Sequence, residues 1–297
     1  MRRVLIAAAL LLAALFIEPG AGAATLSIRP LSQPFVVRPV QQGGGFSVDL
    51  PVVGNIQGAT AKFFTALDVT NNSPQSTDVE FFFTPADGSA PRTGLLGTLN
   101  GFDNLHFDDF LQALAAAGVI PPNQAGNVFG SLLLTFTNPA FHTGTEATAV
   151  ARVFSRATPG GTIGLAYRAQ PIETNGPHSL STILRNDSGF TSNIGIENIG
   201  VDDTGRLLTD PVVVRLSFFD PATGAPVGGQ PTITLGPGQV IQLNDVFRRF
   251  GLAPTAVLLF VDEIAGTGQI RGYAVMKDVI TNAGSFIFMQ ESPANTF

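Results

Sequence analysis

The chain has 297 residues, a formal net charge of −6, and neither cysteine nor tryptophan. Without cysteine it can form no disulfide framework and no thiolate metal site. Lysine occurs only as Lys62 and Lys277. Because no basic stripe is available to neutralise phosphates, a nucleic-acid partner is excluded and an anionic membrane surface is disfavoured.

Residues 1–23 have the pattern of a secretory signal peptide. Arg2 and Arg3 form a positive start, the apolar run from Val4 to Ile17 is short for a bilayer span of ~20 residues, and Ala21-Gly22-Ala23 offers a cleavage site. The short run disfavours the alternative, an uncleaved membrane anchor. We therefore expect a secreted, extracytoplasmic protein with no membrane insertion after signal cleavage.

Residues 24–45 are predicted to be a leader strand or linker, because the segment contains proline and glutamine and ends in three glycines. The chain beyond this segment repeats itself. Phe83–Gly88 matches Phe219–Gly224 and Phe107–Leu111 matches Leu243–Phe247, both at an offset of 136 residues (83 to 219, 107 to 243). We therefore predict two copies of one module, a first copy at 46–172 and a second copy at 173–297, each long enough to fold unaided.

Short strands dominate each copy. Val212, Val214, Leu216 and Phe218 alternate with outward positions, and Val79, Phe81 and Phe83 form another inward set. Turn motifs such as Pro85-Ala86-Asp87-Gly88 separate these runs. With roughly seven to nine strands per copy, the pattern favours an all-β chain of two β-sandwiches.

One short helix is predicted in each copy. Asp109 is the expected N-cap of the first, Phe110, Leu111 and Leu114 form its apolar stripe, and Gly118 ends it. The second is expected to run from an Asp245 cap to Gly251.

The two copies differ in loop length. The offset between them rises from 127 residues (71 to 198) to 136 (83 to 219) and falls to 123 (158 to 281). These changes place extra residues in Gly200–Pro211 of the second copy, and in Val119–Gly130 or Asn138–Glu146 of the first. Because binding residues concentrate in such loops, we expect any partner to bind there.

Several segments together resemble a known family. They are Leu50–Val53, Thr65–Asn72, Phe82–Pro85, Phe107–Asp109 and Arg152–Gly164, with their matches in the second copy. The chain resembles the tandem immunoglobulin-like modules of secreted bacterial proteins, over most of the mature length. The resemblance implies two tandem immunoglobulin-like β-sandwich domains and export. It transfers no active site, because its motifs are structural.

The chain has three histidines, which are its candidates for catalytic or metal-binding residues. His106 precedes Asp108 and Asp109, but only the capping aspartate recurs in the second copy, which favours a structural role. His142 and His178 lie in loops, and no G-x-S-x-G motif presents a serine to them. The sequence therefore predicts no catalytic, cofactor or metal site. The spacing of Asp202, Asp203 and Asp210 matches no calcium-binding loop. Carboxylates on an exposed loop can nevertheless bind Ca²⁺, so a calcium site there stays an alternative.

We expect a non-enzymatic binding or structural protein with an unknown protein or glycan partner at the cell surface. The alternatives are a secreted hydrolase and a carbohydrate-binding accessory protein. A cleft joining His142 or His178 to serine and aspartate favours the hydrolase. A shallow groove lined by Tyr167 or Tyr273 favours the carbohydrate-binding protein.

Overall fold

The computed structural model describes residues 25–40, 44–57, 61–122, 126–142, 144–157, 161–280 and 284–292. The predicted signal peptide and its cleavage site lie outside the described residues. Residues 158–160 and 281–283 also lie outside them.

The described chain consists mainly of strands. They are β1 (Thr25–Arg29), β2 (Phe46–Gln57), β3 (Lys62–Asn71), β4 (Thr77–Pro85), β5 (Arg92–Leu99), β6 (Asn104–Phe107), β7 (Val128–Phe136), β8 (Ala147–Ala157), β9 (Gly161–Arg168), β10 (Gln170–Pro171), β11 (Ser179–Arg185), β12 (Phe190–Asn198), β13 (Val212–Phe219), β14 (Thr232–Leu235), β15 (Val240–Leu243), β16 (Ala256–Ala265), β17 (Ile270–Asp278), β18 (Gly284–Phe288) and β19 (Gln290–Glu291). The helices are α1 (Phe110–Ala116) and α2 (Val246–Phe250). The expected all-β chain with two short helices is confirmed.

The strands form three antiparallel sheets. A ten-stranded sheet has the order β1-β5-β4-β7-β2-β3-β8-β9, with β10 paired to β2 and β6 to β3. A five-stranded sheet has the order β14-β13-β16-β11-β19, and a four-stranded sheet the order β15-β12-β17-β18. The leader segment contributes β1, which extends the first sheet beside β5.

The order of pairing in the second copy follows that in the first. The set β5-β4-β7-β2 corresponds to β14-β13-β16-β11, and β6-β3-β8-β9 corresponds to β15-β12-β17-β18. In the first copy β2 joins both sets, because most of its length pairs with β7 and its last two residues pair with β3. Loops that join corresponding strands can therefore be compared between the copies.

The predicted inward faces of the strands are buried. Val79, Phe81 and Phe83 are inaccessible to solvent, as are Val212, Val214 and Leu216, with Phe218 nearly so. One detail of the sequence match is wrong by a residue. It paired Phe83 with Phe219, but Phe219 is only partly buried, and Phe218 fills the corresponding core position.

The two helices begin differently. Asp109 caps α1 as predicted, because its Oδ1 accepts a 3.0 Å hydrogen bond from the backbone N–H of Gln112. The predicted Asp245 cap of α2 is wrong. Asp245 is in the left-handed conformation (φ 49°), makes no side-chain cap bond, and instead pairs with Arg248 at 2.9 Å. Gly251 ends α2 with φ 63°, as expected.

Candidate functional site

The two copies meet in a continuously packed interface, which we call the joint. A hydrophobic cluster there combines residues of the leader segment and of both copies: Phe35, Val37, Leu133, Ile172, Ile199 and Val201. Val240 and Tyr273 of the second copy belong to the main core of the first. The joint therefore excludes water as a domain interior does.

Three aromatic rings cross the joint as a stack. Phe286 lies between Tyr167, at 4.3 Å between ring centroids, and Tyr273, at 4.8 Å. Both interplanar angles are below 20°. Gly195 opposes Tyr273 on the neighbouring strand, and a Cβ there would lie 2.0 Å from the tyrosine ring. A glycine at this position is thus required for the ring to cover the strand.

The two tyrosines do not line a shallow groove. Tyr167 is 6% exposed and Tyr273 is 1% exposed. The Tyr273 hydroxyl donates to Gln242 Oε1 at 3.3 Å. The shallow groove lined by Tyr167 or Tyr273, which would favour a carbohydrate-binding protein, is therefore not formed.

A charged cluster that we call the buried triad lies in the joint beside the stack. It comprises Asp49 on β2, Glu197 on β12 and Arg271 on β17. Asp49 and Glu197 are at most 1% exposed. Arg271 Nε lies 3.5 Å from Asp49 Oδ2, and Arg271 pairs directly across the strands with Glu197. Carboxyl groups at this depth are rare unless paired, because the charged form loses its hydration.

Burial changes the protonation of the triad. Desolvation raises the pKa of Asp49 to about 6, although the positive charge of Arg271 opposes that shift. Desolvation, followed by repulsion from Asp49, raises the pKa of Glu197 well above its usual range. In both carboxyl groups burial therefore favours the protonated form, and the Arg271 guanidinium favours the charged form. Because the carboxyl groups of Asp49 and Glu197 are buried, they are not exposed to a ligand at the surface of the joint.

A groove of about 310 Å³ opens at the surface of the joint, next to the triad. We call it the joint groove. Its lining comes from both copies: Gln170, Pro171, Glu173, Pro177, Leu180, Arg271, Phe288, Met289, Gln290 and Glu291. Arg271 connects the groove to the triad, because its Nη2 donates to the Pro171 carbonyl at 3.1 Å while its Nε faces Asp49.

His178 lies on the second copy near the joint and is held by two carboxylates. Its Nδ1 bonds Glu263 and its Nε2 lies 2.8 Å from Asp203 Oδ1. Burial opposes the charged ring, but these hydrogen bonds outweigh it and raise the pKa of His178. The adjacent Ser179 hydroxyl donates to Asp262 and not to His178. The His–Ser–Asp cleft that favours a hydrolase is therefore not formed at this histidine.

The other two histidines lie on the surface of the first copy. His106 Nδ1 is 2.7 Å from Asp68 Oδ1 and its Nε2 is 3.2 Å from Asp108 Oδ1. The hydrogen bonds to Asp68 and Asp108 raise the pKa of His106. His142 is exposed in the loop after β7. The structure does not bring these histidines to the joint groove.

The loop Gly200–Pro211 is a packed part of the joint. Val201 is fully buried, and Asp202 Oδ1 accepts hydrogen bonds from Thr204 and Arg206 of its own turn. Asp203 pairs with His178, whereas Asp210 is exposed.

Of the first-copy loops, Val119–Gly130 ends within β7 and Asn138–Glu146 joins β7 to β8. Within the described ranges, no group of three or more histidine, aspartate or glutamate side chains is arranged so that it could hold a metal ion.

The triad was not predicted, although the sequence contains a signal for it. Asp49 and Glu197 are single carboxylates in apolar strands, FSVDLPVV and SNIGIEN, and Arg271 begins the run RGYAV. A charge on an apolar strand suggests a buried partner, but the partner on the other copy depends on how the copies dock.

Comparisons with known proteins add little to this geometry. Neither a protein-family model nor a curated protein matches the chain. Among solved structures, the apo form of the Pleurotus ostreatus lectin aligns over 93% of this chain and 89% of its own, at 9% identity and a TM-score of 0.21. Neither α1 nor α2, nor any other helix among the described residues, has the length and hydrophobicity of a membrane span. The comparisons leave the chain as an all-β protein of several antiparallel sheets, without a family assignment.

Proposed function

We propose that the protein is an exported, non-enzymatic binding protein of the cell surface. It consists of two tandem immunoglobulin-like β-sandwich domains, the first and second copies, which are joined rigidly. The joint groove takes the partner, a protein or a glycan. The observation that carries this proposal is the dual contact of Arg271, which lines the groove and is anchored by Asp49 and the Pro171 carbonyl.

Anchoring of this kind favours recognition. An arginine held by two partners has lost its side-chain freedom before a ligand arrives, so binding costs less conformational entropy. The triad and the stacked rings fix the two copies that form the walls of the groove. The groove is therefore pre-formed, as ligand sites usually are.

The chemistry of the groove suits a partner rich in hydrogen-bond donors. Glu173 and Glu291 place exposed carboxylates there, and Gln170 and Gln290 add amides. Phe288 supplies an apolar surface for the body of the ligand. Glycan hydroxyls and peptide N–H groups both fit this combination.

Capture from a surface extract of the source cells tests the proposal. The exported protein is immobilised as wild type, as the double variant Glu173→Lys/Glu291→Lys, and as Asp210→Lys, a matched charge reversal on an exposed residue of the loop Gly200–Pro211. We expect the wild type and Asp210→Lys to retain the same partner, and the groove variant to lose it. Equal capture by the groove variant, or loss only in Asp210→Lys, contradicts the groove as the binding site.

A further inference from the structure

The second copy docks onto the first partly through the turn between β14 and β15, which carries Gly238. Ser131 Oγ on β7 donates to the Gly238 carbonyl at 2.8 Å. A Cβ on Gly238 would lie 2.4 Å from the Thr84 hydroxyl on β4, so only glycine allows the backbone this close. The turn between β14 and β15 therefore packs on the outer face of β4 and β7.

The first copy has the same turn, between β5 and β6. In it the Asp103 N–H donates to Asn100 O and the Asn71 N–H to Asp103 O. In the second copy the Gln239 N–H donates to Gly236 O and the Asn198 N–H to Gln239 O. Phe102 occupies the position of Gly238, and both are left-handed, with φ of 60° and 70°.

The two equivalent residues have opposite surroundings. Gly238 is buried in the joint, whereas the Phe102 side chain is 70% exposed. A left-handed conformation is costly for a bulky residue, and an exposed aromatic ring gains nothing from the core. The first copy thus exposes the Phe102 ring on a turn whose equivalent in the second copy, the Gly238 turn, docks the two copies together.

The complementary surface exists on the second copy. The face of β4 and β7 that receives Gly238 corresponds in pairing order to the outer face of β13 and β16. On that face Ile183 pairs with Leu258, and Ser181 with Phe260, across β11 and β16. Ile183 is 55% exposed, and Leu258 and Phe260 are partly exposed. A row of apolar side chains on an accessible sheet face is a typical interaction surface.

We propose that the chain binds a second copy of itself head to tail, with the Phe102 turn of one molecule on the β11–β16 face of the next. The contact uses the equivalent turn and the corresponding sheet, but the Phe102 ring packs on apolar side chains where Gly238 makes a close backbone approach to Thr84. Because the two surfaces differ, the interface is heterologous and leaves a free turn and a free face at the ends, so the assembly grows as an open row. Neither surface includes the joint groove, so this association and partner binding can fail independently.

Analytical ultracentrifugation of the exported protein over a concentration series tests the proposal. We expect the average mass to rise with concentration without stopping at a dimer. Phe102→Gly keeps the left-handed turn but removes the anchor, and Ile183→Asp places a charge on the receiving face. Each should weaken association at least about tenfold, as expected for the loss of a central anchor. Ile280→Asp, at an apolar residue that is 83% exposed elsewhere, is the matched control and should leave association unchanged.

Mixing the two interface variants gives the sharpest test. Phe102→Gly retains a receiving face and Ile183→Asp retains a turn, so an equimolar mixture should form 1:1 dimers and nothing larger. Circular dichroism melts of each variant establish that it is folded. A wild type that stays monomeric at every concentration overturns the proposal. So does association that persists in Phe102→Gly, or a mixture of folded variants that stays monomeric.

Discussion

Arg271 Nε lies 3.5 Å from Asp49 Oδ2, so a strand of the second copy supplies the positive charge for a carboxylate buried in the first. A buried ion pair is not by itself strong evidence of stability, because removing two charges from water is costly. Removal of one partner, however, leaves the other charge buried and uncompensated. The pair therefore makes the joint specific, since either copy alone would have to solvate or neutralise its own charge.

Replacing Arg271 with methionine should destabilise the protein by about 3 kcal/mol, because the Asp49 charge then lacks its partner. Urea unfolding followed by circular dichroism measures the change. Arg248→Met is the control: Arg248 forms a largely exposed pair with Asp245, so its loss should cost at most about 0.5 kcal/mol. Adding Asp49→Asn to Arg271→Met should recover part of the loss. Equal stability of the two arginine variants contradicts a role for Arg271 in the joint.

The triad also predicts how stability depends on pH. Burial raises the pKa of Asp49 from 3.8 to about 6, so its protonated form is favoured in the folded state. The stability that this preference contributes is fully present below pH 3.8 and is lost as the pH rises through about 6. Urea unfolding between pH 4 and pH 7 should therefore show a smaller decline with pH for Asp49→Asn than for the wild type. Parallel pH profiles for the two proteins are the contrary result.

His178 should titrate above its usual pKa of 6.5 when followed by NMR, because Glu263 and Asp203 stabilise its charged ring against the effect of burial. Its contribution to stability is then fully present below pH 6.5 and is lost as the pH rises through the folded-state pKa. Asp203→Asn should lower the pKa of His178. The pKa of His106 should not change, since its partners are Asp68 and Asp108. An unshifted His178 in Asp203→Asn would show that Asp203 does not stabilise its charge.

The two helix starts should respond differently to substitution of their aspartate by glycine. Asp109→Gly removes a cap bond and a side-chain bond to Asn55, and should reduce stability by up to about 1 kcal/mol. Asp245→Gly removes no cap bond and relieves a left-handed aspartate, so stability should be unchanged or rise by about 0.5 kcal/mol. Thermal melts of both variants decide between these outcomes. A larger loss of stability in Asp245→Gly than in Asp109→Gly would show that Asp245 does cap α2.

Gly195→Ala should destabilise the joint by about 1–3 kcal/mol, because the new methyl group overlaps the Tyr273 ring and forces it out of the stack. Gly229→Ala is the matched control, since nothing lies within 4 Å of its added Cβ. Near-ultraviolet circular dichroism reports the tyrosine environment and should change only in Gly195→Ala. The same spectrum and stability in both variants would mean that the ring moves aside freely.

Local sequence patterns predicted the strands well, because alternating burial is visible within a single strand, as at Val212–Phe218. The Asp109 cap was predictable for the same reason. The Asp245 cap was not, because the left-handed backbone there turns the aspartate away from the N–H groups of α2. The joint could not be predicted, since Asp49, Glu197 and Arg271 meet only after the copies dock. The burial of Val201 in the loop Gly200–Pro211 has the same origin.

Differential scanning calorimetry of the protein at low concentration tests most directly whether the joint makes the two copies one cooperative unit. The shared core predicts a single transition whose calorimetric and van't Hoff enthalpies agree. Arg271→Met should lower the midpoint of that whole transition. Two separate transitions in the wild type, with only one of them shifted in Arg271→Met, would show that the copies unfold independently, and would contradict a rigid joint.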